Sequence, residues 1–117
     1  MDTDGDAGRG VEELAGDEPG DLLDRRGLVL VQFWAEWCAP CHAMRPEIER
    51  FAAGATADIA VCAVEITRSP RTTAHFGVNS VPSTVILRDG VEVHRSSGAK
   101  RRSQLVRLTN SVCGTGG

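Results

Sequence analysis

The chain lacks long apolar runs. No stretch of its 117 residues approaches the roughly 20 needed to span a bilayer, so no membrane association is expected. Aromatic side chains are scarce, at 4 % with no tyrosine. Phe33, Trp34, Trp37, Phe51 and Phe76 must therefore serve sparingly. No basic stripe interleaved with aromatics occurs, which argues against nucleic-acid binding. No basic-then-apolar leader opens the sequence, so the expected location is cytoplasmic. Four cysteines in that setting are expected to be reduced, catalytic or metal-binding rather than a disulfide framework. A second C-x-x-C or a histidine pair is also missing, so structural zinc lacks its usual four ligands. No metal and no cofactor is expected.

What is present suits one globular domain. Apolar residues make up 41 % and charged residues 25 %, ordinary values for a folded chain. A chain of this length can bury a sizeable core without staples. The net charge of −3 is unevenly spread. Residues 1–26 hold nine acids and three bases, whereas residues 27–117 hold seven acids and ten bases. Residues 1–10 have little to bury and are expected to be a disordered acidic tail. Residues 11–113 are expected to form the domain, and 114–117 a flexible tail. Lys100-Arg101-Arg102 reads as the solvated start of a helix.

The apolar pattern sets the element order. Val11 to Leu14 reads as a short edge strand, and Asp17 to Arg26 as a weak helix ended by Gly27. Leu28 to Trp34 is nearly continuous apolar sequence, as in a central strand buried on both faces. Met44, Ile48, Phe51 and Ala52 recur at helical spacing, with Pro46 inside that helix and Gly54 as its stop. Ile59 to Ile66 is a second buried strand, and Pro70 to Phe76 a short helix. Thr84–Leu87 and Val91–Arg95 read as a hairpin closed by Asp89-Gly90. Leu105, Leu108 and Val112 mark a final helix. The order β-α-β-α-β-α-β-β-α predicts an α/β fold: a central mixed β-sheet with helices on both faces.

Between the first apolar strand and its helix lies Trp37-Cys38-Ala39-Pro40-Cys41. Cysteines two residues apart can close a small disulfide. At a helix N-terminus, free N–H groups and the helix dipole stabilise a thiolate. Pro40 suits the first turn, where a missing N–H costs nothing, and Trp37 forms an apolar rim. Cys38 is expected to be the nucleophile that opens a target disulfide, and Cys41 the thiol that resolves the mixed disulfide. With His42 the segment also matches the C-x-x-C-H pattern of haem attachment. Covalent haem would need export, a distal ligand and a hollow core, none of which the sequence supplies.

These residues resemble the thioredoxin family. The stretch from Leu28 to Cys41 is similar to its strand and active-site loop, with Ala39 where most members carry glycine. Pro46 matches its helix proline, and Phe76 to Thr84 the segment holding its cis-proline, here Pro82. Asp89-Gly90 and Gly98-Ala99 match its later turns. The resemblance covers about residues 11–113. It implies a thioredoxin fold and a protein-disulfide reductase activity carried by Cys38, Cys41 and Pro82. A substrate groove would be formed by Trp37, Pro40, Ile66, Val81, Gly98 and Ala99. The implied partners are protein disulfide substrates and a thioredoxin-reductase-like flavoenzyme, with the chain a monomer.

Two positions depart from that pattern. Gln32 stands where the family carries a buried aspartate behind the second cysteine, and Ala63 where it carries a lysine. Glutamine cannot titrate, so a general-base role is lost. Gln32 itself reads as a hydrogen-bonded core residue. His42 would tune the pair electrostatically, since histidine changes charge near neutrality, or serve as a solvated helix residue. Cys62 reads as buried filler. The alternative function is a thioredoxin-fold binding or regulatory module with weak redox activity.

Overall fold

The computed structural model describes residues 10–55 and 58–115. Its elements are β1 (Val11–Glu13), α1 (Gly20–Leu23), β2 (Leu28–Trp34), α2 (Ala39–Gly54) and β3 (Ile59–Glu65). They continue with α3 (Pro70–His75), β4 (Ser83–Arg88), β5 (Val91–Ser97) and α4 (Arg102–Thr115). The strands form one sheet in the order β1-β3-β2-β4-β5. β3 runs parallel to β1 and β2, while β4 runs antiparallel to β2 and β5. The expected mixed sheet is therefore present.

Strand alternation divides the core in two. Leu28 and Leu30 of β2 face Met44, Ile48 and Phe51 of α2 and Leu105 and Val112 of α4. Val29, Val31 and Phe33 point the other way, toward Leu22 of α1 and Phe76 at the end of α3. Helices thus cover both faces, and β2 is buried nearly end to end.

Three expectations are corrected. The helix expected over 17–26 shrinks to Gly20–Leu23, because Pro19 caps it and Asp17 is used elsewhere. Asp17 accepts the N–H groups of Arg71 at 2.9 Å and Thr72 at 2.8 Å, capping α3 from across the molecule. Burial alone would raise the Asp17 carboxyl, but those hydrogen bonds outweigh it and hold the group below its usual range. The final helix extends through Gly114 and Thr115, two residues into the expected 114–117 tail. Finally, β5 extends to Ser97 because Ser96 and Ser97 pair with Thr84 and Ser83. The expected tail at 1–10 lies outside the described residues except for Gly10, as do residues 116–117.

α4 is also capped at long range. Glu47 of α2 accepts the Arg102 N–H at 2.8 Å. The hairpin tip docks on the start of β2 in a similar way. Gly27 N–H donates to Asp89 Oδ1 at 2.7 Å, and Asp89 N–H returns a bond to the Gly27 carbonyl at 2.9 Å. No helix among the described residues is long and apolar enough to cross a membrane.

Candidate active site

The C-terminal ends of β2, β3 and β5 and the start of β4 meet at one edge of the sheet. In open α/β sheets such carboxyl ends are where chemistry is placed. β2 stops at Trp34, and Cys38 becomes the N-cap of α2 with extended backbone (φ −99°, ψ 104°). Pro40 sits in the first turn, where its missing N–H is harmless. The Cys41 N–H points at Cys38 Sγ, 3.3 Å away. Cys38 and Cys41 form a disulfide with Cα atoms 5.3 Å apart. Both are buried, Cys38 at 6 % exposed and Cys41 at 2 %.

Ala35 packs with the two cysteines, and half-buried Trp34, Ile66 and Val81 close around them. The Val81–Pro82 peptide is cis. The Pro82 carbonyl accepts the Gly98 N–H at 2.9 Å, which brings the 98–99 loop to the same edge. Trp37 stands 70 % exposed beside the pair in sequence. Ile66, Val81, Pro82 and Gly98 are thus gathered at the edge where the cysteines lie. Ala99 lines a neighbouring cleft against Ala43 of α2.

Two bracing residues escaped the sequence reading. Glu65 ends β3 and is only 2 % exposed. Its Oε2 accepts the Glu36 N–H at 2.8 Å, and its Oε1 accepts the N–H groups of Thr67 and Arg68, each at 3.0 Å. Burial pushes this carboxyl up, but the Thr67 hydroxyl and the three amides pull it lower overall. Glu65 therefore ties the 35–37 loop to the 66–68 turn as a carboxylate. Its only sequence signal is an acid closing an apolar strand. Glu13 is the second brace: its Oε2 accepts Trp34 Nε1–H at 2.8 Å, and its Oε1 pairs with Arg45 at 3.1 Å. Arg45 also lies over the Trp34 ring, 5.0 Å from its centroid.

His42 faces this brace. Its ring meets Trp34 edge-on at 5.8 Å, and its Nε2–H donates to the Glu36 carbonyl at 2.7 Å. Cys62 is fully buried on the opposite face of the sheet. Burial pushes its thiol up to about 11, so it stays protonated and unreactive at neutral pH.

Gln32 corrects an expectation. It is fully buried, as expected, but neither amide atom finds a hydrogen-bond partner. Alternation along β2 puts it on the α2 face above Leu30, toward the Cys41 end of the helix. Its strand neighbours are Ala63, which offers no polar atom, and Thr84, whose Oγ1 is likewise buried and unpartnered. A buried polar group without a partner costs stability. Replacing Thr84 by valine keeps the shape and removes one such group. Thermal unfolding of Thr84→Val should therefore show a gain of about 1 kcal/mol, or roughly 4 °C in Tm; a lower Tm refutes this reading.

A mixed sheet carrying a C-x-x-C disulfide at the mouth of a helix defines a dithiol–disulfide exchange protein. Comparison with known proteins agrees. The Thioredoxin family model matches residues 14–111. A thioredoxin of Chlamydia muridarum is 44 % identical over 82 residues, covering 70 % of this chain and 79 % of the relative. A thioredoxin of Mycobacterium tuberculosis is 36 % identical over 92 residues, 79 % of each chain. Among solved structures, a mutant thioredoxin from Halobacterium salinarum NRC-1 superposes with a TM-score of 0.79 at 28 % identity. It covers 89 % of this chain and 91 % of that one.

The chain belongs to the thioredoxin family. It is a thiol–disulfide oxidoreductase of the protein-disulfide reductase kind.

Proposed function

We propose that Cys38 is the attacking thiolate and Cys41 the resolving thiol. The observation that carries this is the Cys41 N–H aimed at Cys38 Sγ at the N-cap of α2. In the reduced protein, Cys38 S⁻ attacks a client disulfide. A Cys38–client bond forms, and the client's other sulfur leaves as a thiolate that takes a proton from solvent. Cys41 then loses its proton and attacks Cys38 Sγ. The second client sulfur departs, the client has gained two electrons, and the protein holds the Cys38–Cys41 disulfide.

Trp37, Pro40, Ile66, Val81, Gly98 and Ala99 form the docking groove, with Pro82 presenting backbone to an extended client strand. Apolar packing of Ile66 and Val81 against the cysteines supports this reading. Electrons arrive from a thioredoxin-reductase-like flavoenzyme, and the chain acts as a cytoplasmic monomer in electron transport and cell redox homeostasis. Ala39 and His42 modulate the pair, His42 through the Glu36 carbonyl beside Trp37.

The trapping variant tests the assignment. Cys41→Ser should accumulate mixed disulfides with many client proteins, released by dithiothreitol and visible on non-reducing gels. Capture of one partner regardless of redox state would favour a binding module instead. Gln32 sets the rate of the second step, because it offers Cys41 no titratable acceptor. Gln32→Asp should speed release of the mixed disulfide in stopped-flow by roughly 10-fold, a modest part of the 10²–10⁴ a positioned base supplies. An unchanged rate would sink that role.

A further inference from the structure

Beside the redox edge lies a cleft of about 280 Å³ between α2 and the 99–104 segment. Ala43 and Met44 of α2 form one side, two and three residues beyond Cys41. Ala99, Lys100 and Arg101 form the other, directly after Gly98, whose N–H is bound to the Pro82 carbonyl. The cleft adjoins the groove proposed above through Ala99, and one wall carries two cations.

Ion pairing divides the described cations, and Lys100 and Arg101 fall with Arg26, Arg88, Arg102 and Arg107 on the side without a carboxylate partner. Six arginines, at positions 25, 45, 50, 68, 71 and 95, are each paired with a carboxylate. Among the described residues, no carboxylate forms an ion pair with Lys100 or Arg101. Arg101 is exposed. Lys100 Nζ is pinned instead to the carbonyls of Ser97 at 2.6 Å and Gly98 at 3.2 Å. Its charge is thus held on the groove loop itself.

The cleft's one acid offsets part of their charge: the Arg102 N–H, Arg50 and Arg101 together hold the Glu47 carboxyl below its usual range. Glu47 lines it, but its Oε1 is committed to the Arg102 N–H and its Oε2 to Arg50. Both cations also precede α4, close to the positive end of its dipole, and no acid occupies the first turn. Lys100 braces the loop and the Arg101 N–H donates to Gln104 Oε1, but among the described residues the Arg101 guanidinium forms no ion pair, and a cation there gains nothing from the helix dipole. An anion entering the cleft would meet both charges and the helix end together.

We infer that Lys100 and Arg101 form an acid-receiving lip on the substrate groove. The clients it selects carry Asp or Glu a few residues from the attacked cysteine. This rests on the groove assignment above and narrows its substrate class. Charge complementarity at a groove rim acts mainly on association rate and fades with salt.

The experiment mixes fully reduced protein with two peptide disulfides in single-turnover stopped-flow, following tryptophan fluorescence. The peptides are identical except for Glu or Gln three residues from the attacked cysteine. At low ionic strength the Glu peptide should react about fivefold faster, and the ratio should approach one at about 0.5 M salt. Arg101→Gln should lower the ratio, Lys100→Gln/Arg101→Gln should bring it to one, and Arg101→Glu should invert it. The ratio is the readout, so a change in absolute rate common to both peptides does not enter. Equal rates for both peptides in the unaltered protein overturn the inference. So does a fivefold ratio that survives in the double variant, which would put the selectivity elsewhere. If neither peptide is reduced at all, the exchange mechanism has failed rather than the lip.

Discussion

Cys38→Ser lowers protein-disulfide reduction by at least about 10³-fold, a loss of the size seen when an essential nucleophile is removed. A serine hydroxyl is neither ionised at neutral pH nor able to carry electrons as a disulfide. The fold should survive the change, because Cys38 is the N-cap of α2 and serine is a favoured residue there. The serine oxygen can accept the Cys41 N–H that now points at the sulfur. The expected result is a protein whose melting curve matches that of the reduced parent, with background-level insulin reduction. Appreciable turnover in this variant would mean that Cys41 attacks clients directly, and the assigned order of the two sulfurs would be wrong.

Gly90→Ala produces the opposite outcome, lost stability with retained chemistry. Gly90 closes the β4–β5 hairpin with φ +82°, following Asp89 at φ 51°. Positive angles at both central residues define the tight turn that matches strand twist. A Cβ on Gly90 would lie 2.2 Å from the Leu23 carbonyl oxygen, inside any permissible contact. The backbone of Leu23 must move, and with it the hydrogen bonds that dock Asp89 on Gly27. Strain in the left-handed region and this overlap together should cost about 3 kcal/mol, which lowers Tm by roughly 10 °C. The hairpin tip lies at the end of β4 remote from Ser83 and Pro82. Reduction per folded molecule, measured well below the new Tm, should match the parent. A specific activity reduced tenfold there would mean that the turn is coupled to the redox edge.

Much of this architecture was legible in the residues themselves. The apolar run from Leu28 to Trp34 suited a central strand, and Asp89-Gly90 between two β-prone runs signalled a tight turn. The segment from Trp37 to Cys41 was readable because strand, cysteine, proline and helix follow without a gap. Other features were hidden because they depend on residues distant in sequence. Asp17 looked like the start of a helix, yet it caps another helix whose amides lie 54 and 55 positions away. Glu65 gave no sign of its role, since acids are rarely buried. Only the converging amides of residues 36, 67 and 68 make its burial tolerable. Gln32 was foreseeable as buried but not as unpartnered. That depends on its cross-strand neighbours Ala63 and Thr84, and register is a tertiary property.

The two remote caps bear on how the molecule assembles. α3 and α4 each rely on an acid from elsewhere in the chain to satisfy their first amides. Local partners serve the rest of each opening turn, such as Gln104 Oε1 for the Arg101 N–H and the Ser69 carbonyl for the Thr73 N–H. α3, with six residues, is also too short to persist by itself. The remote caps of both helices therefore exist only when the chain has closed around the sheet. The two caps thus tie the first turn of α3 to the segment before α1, and the first turn of α4 to α2.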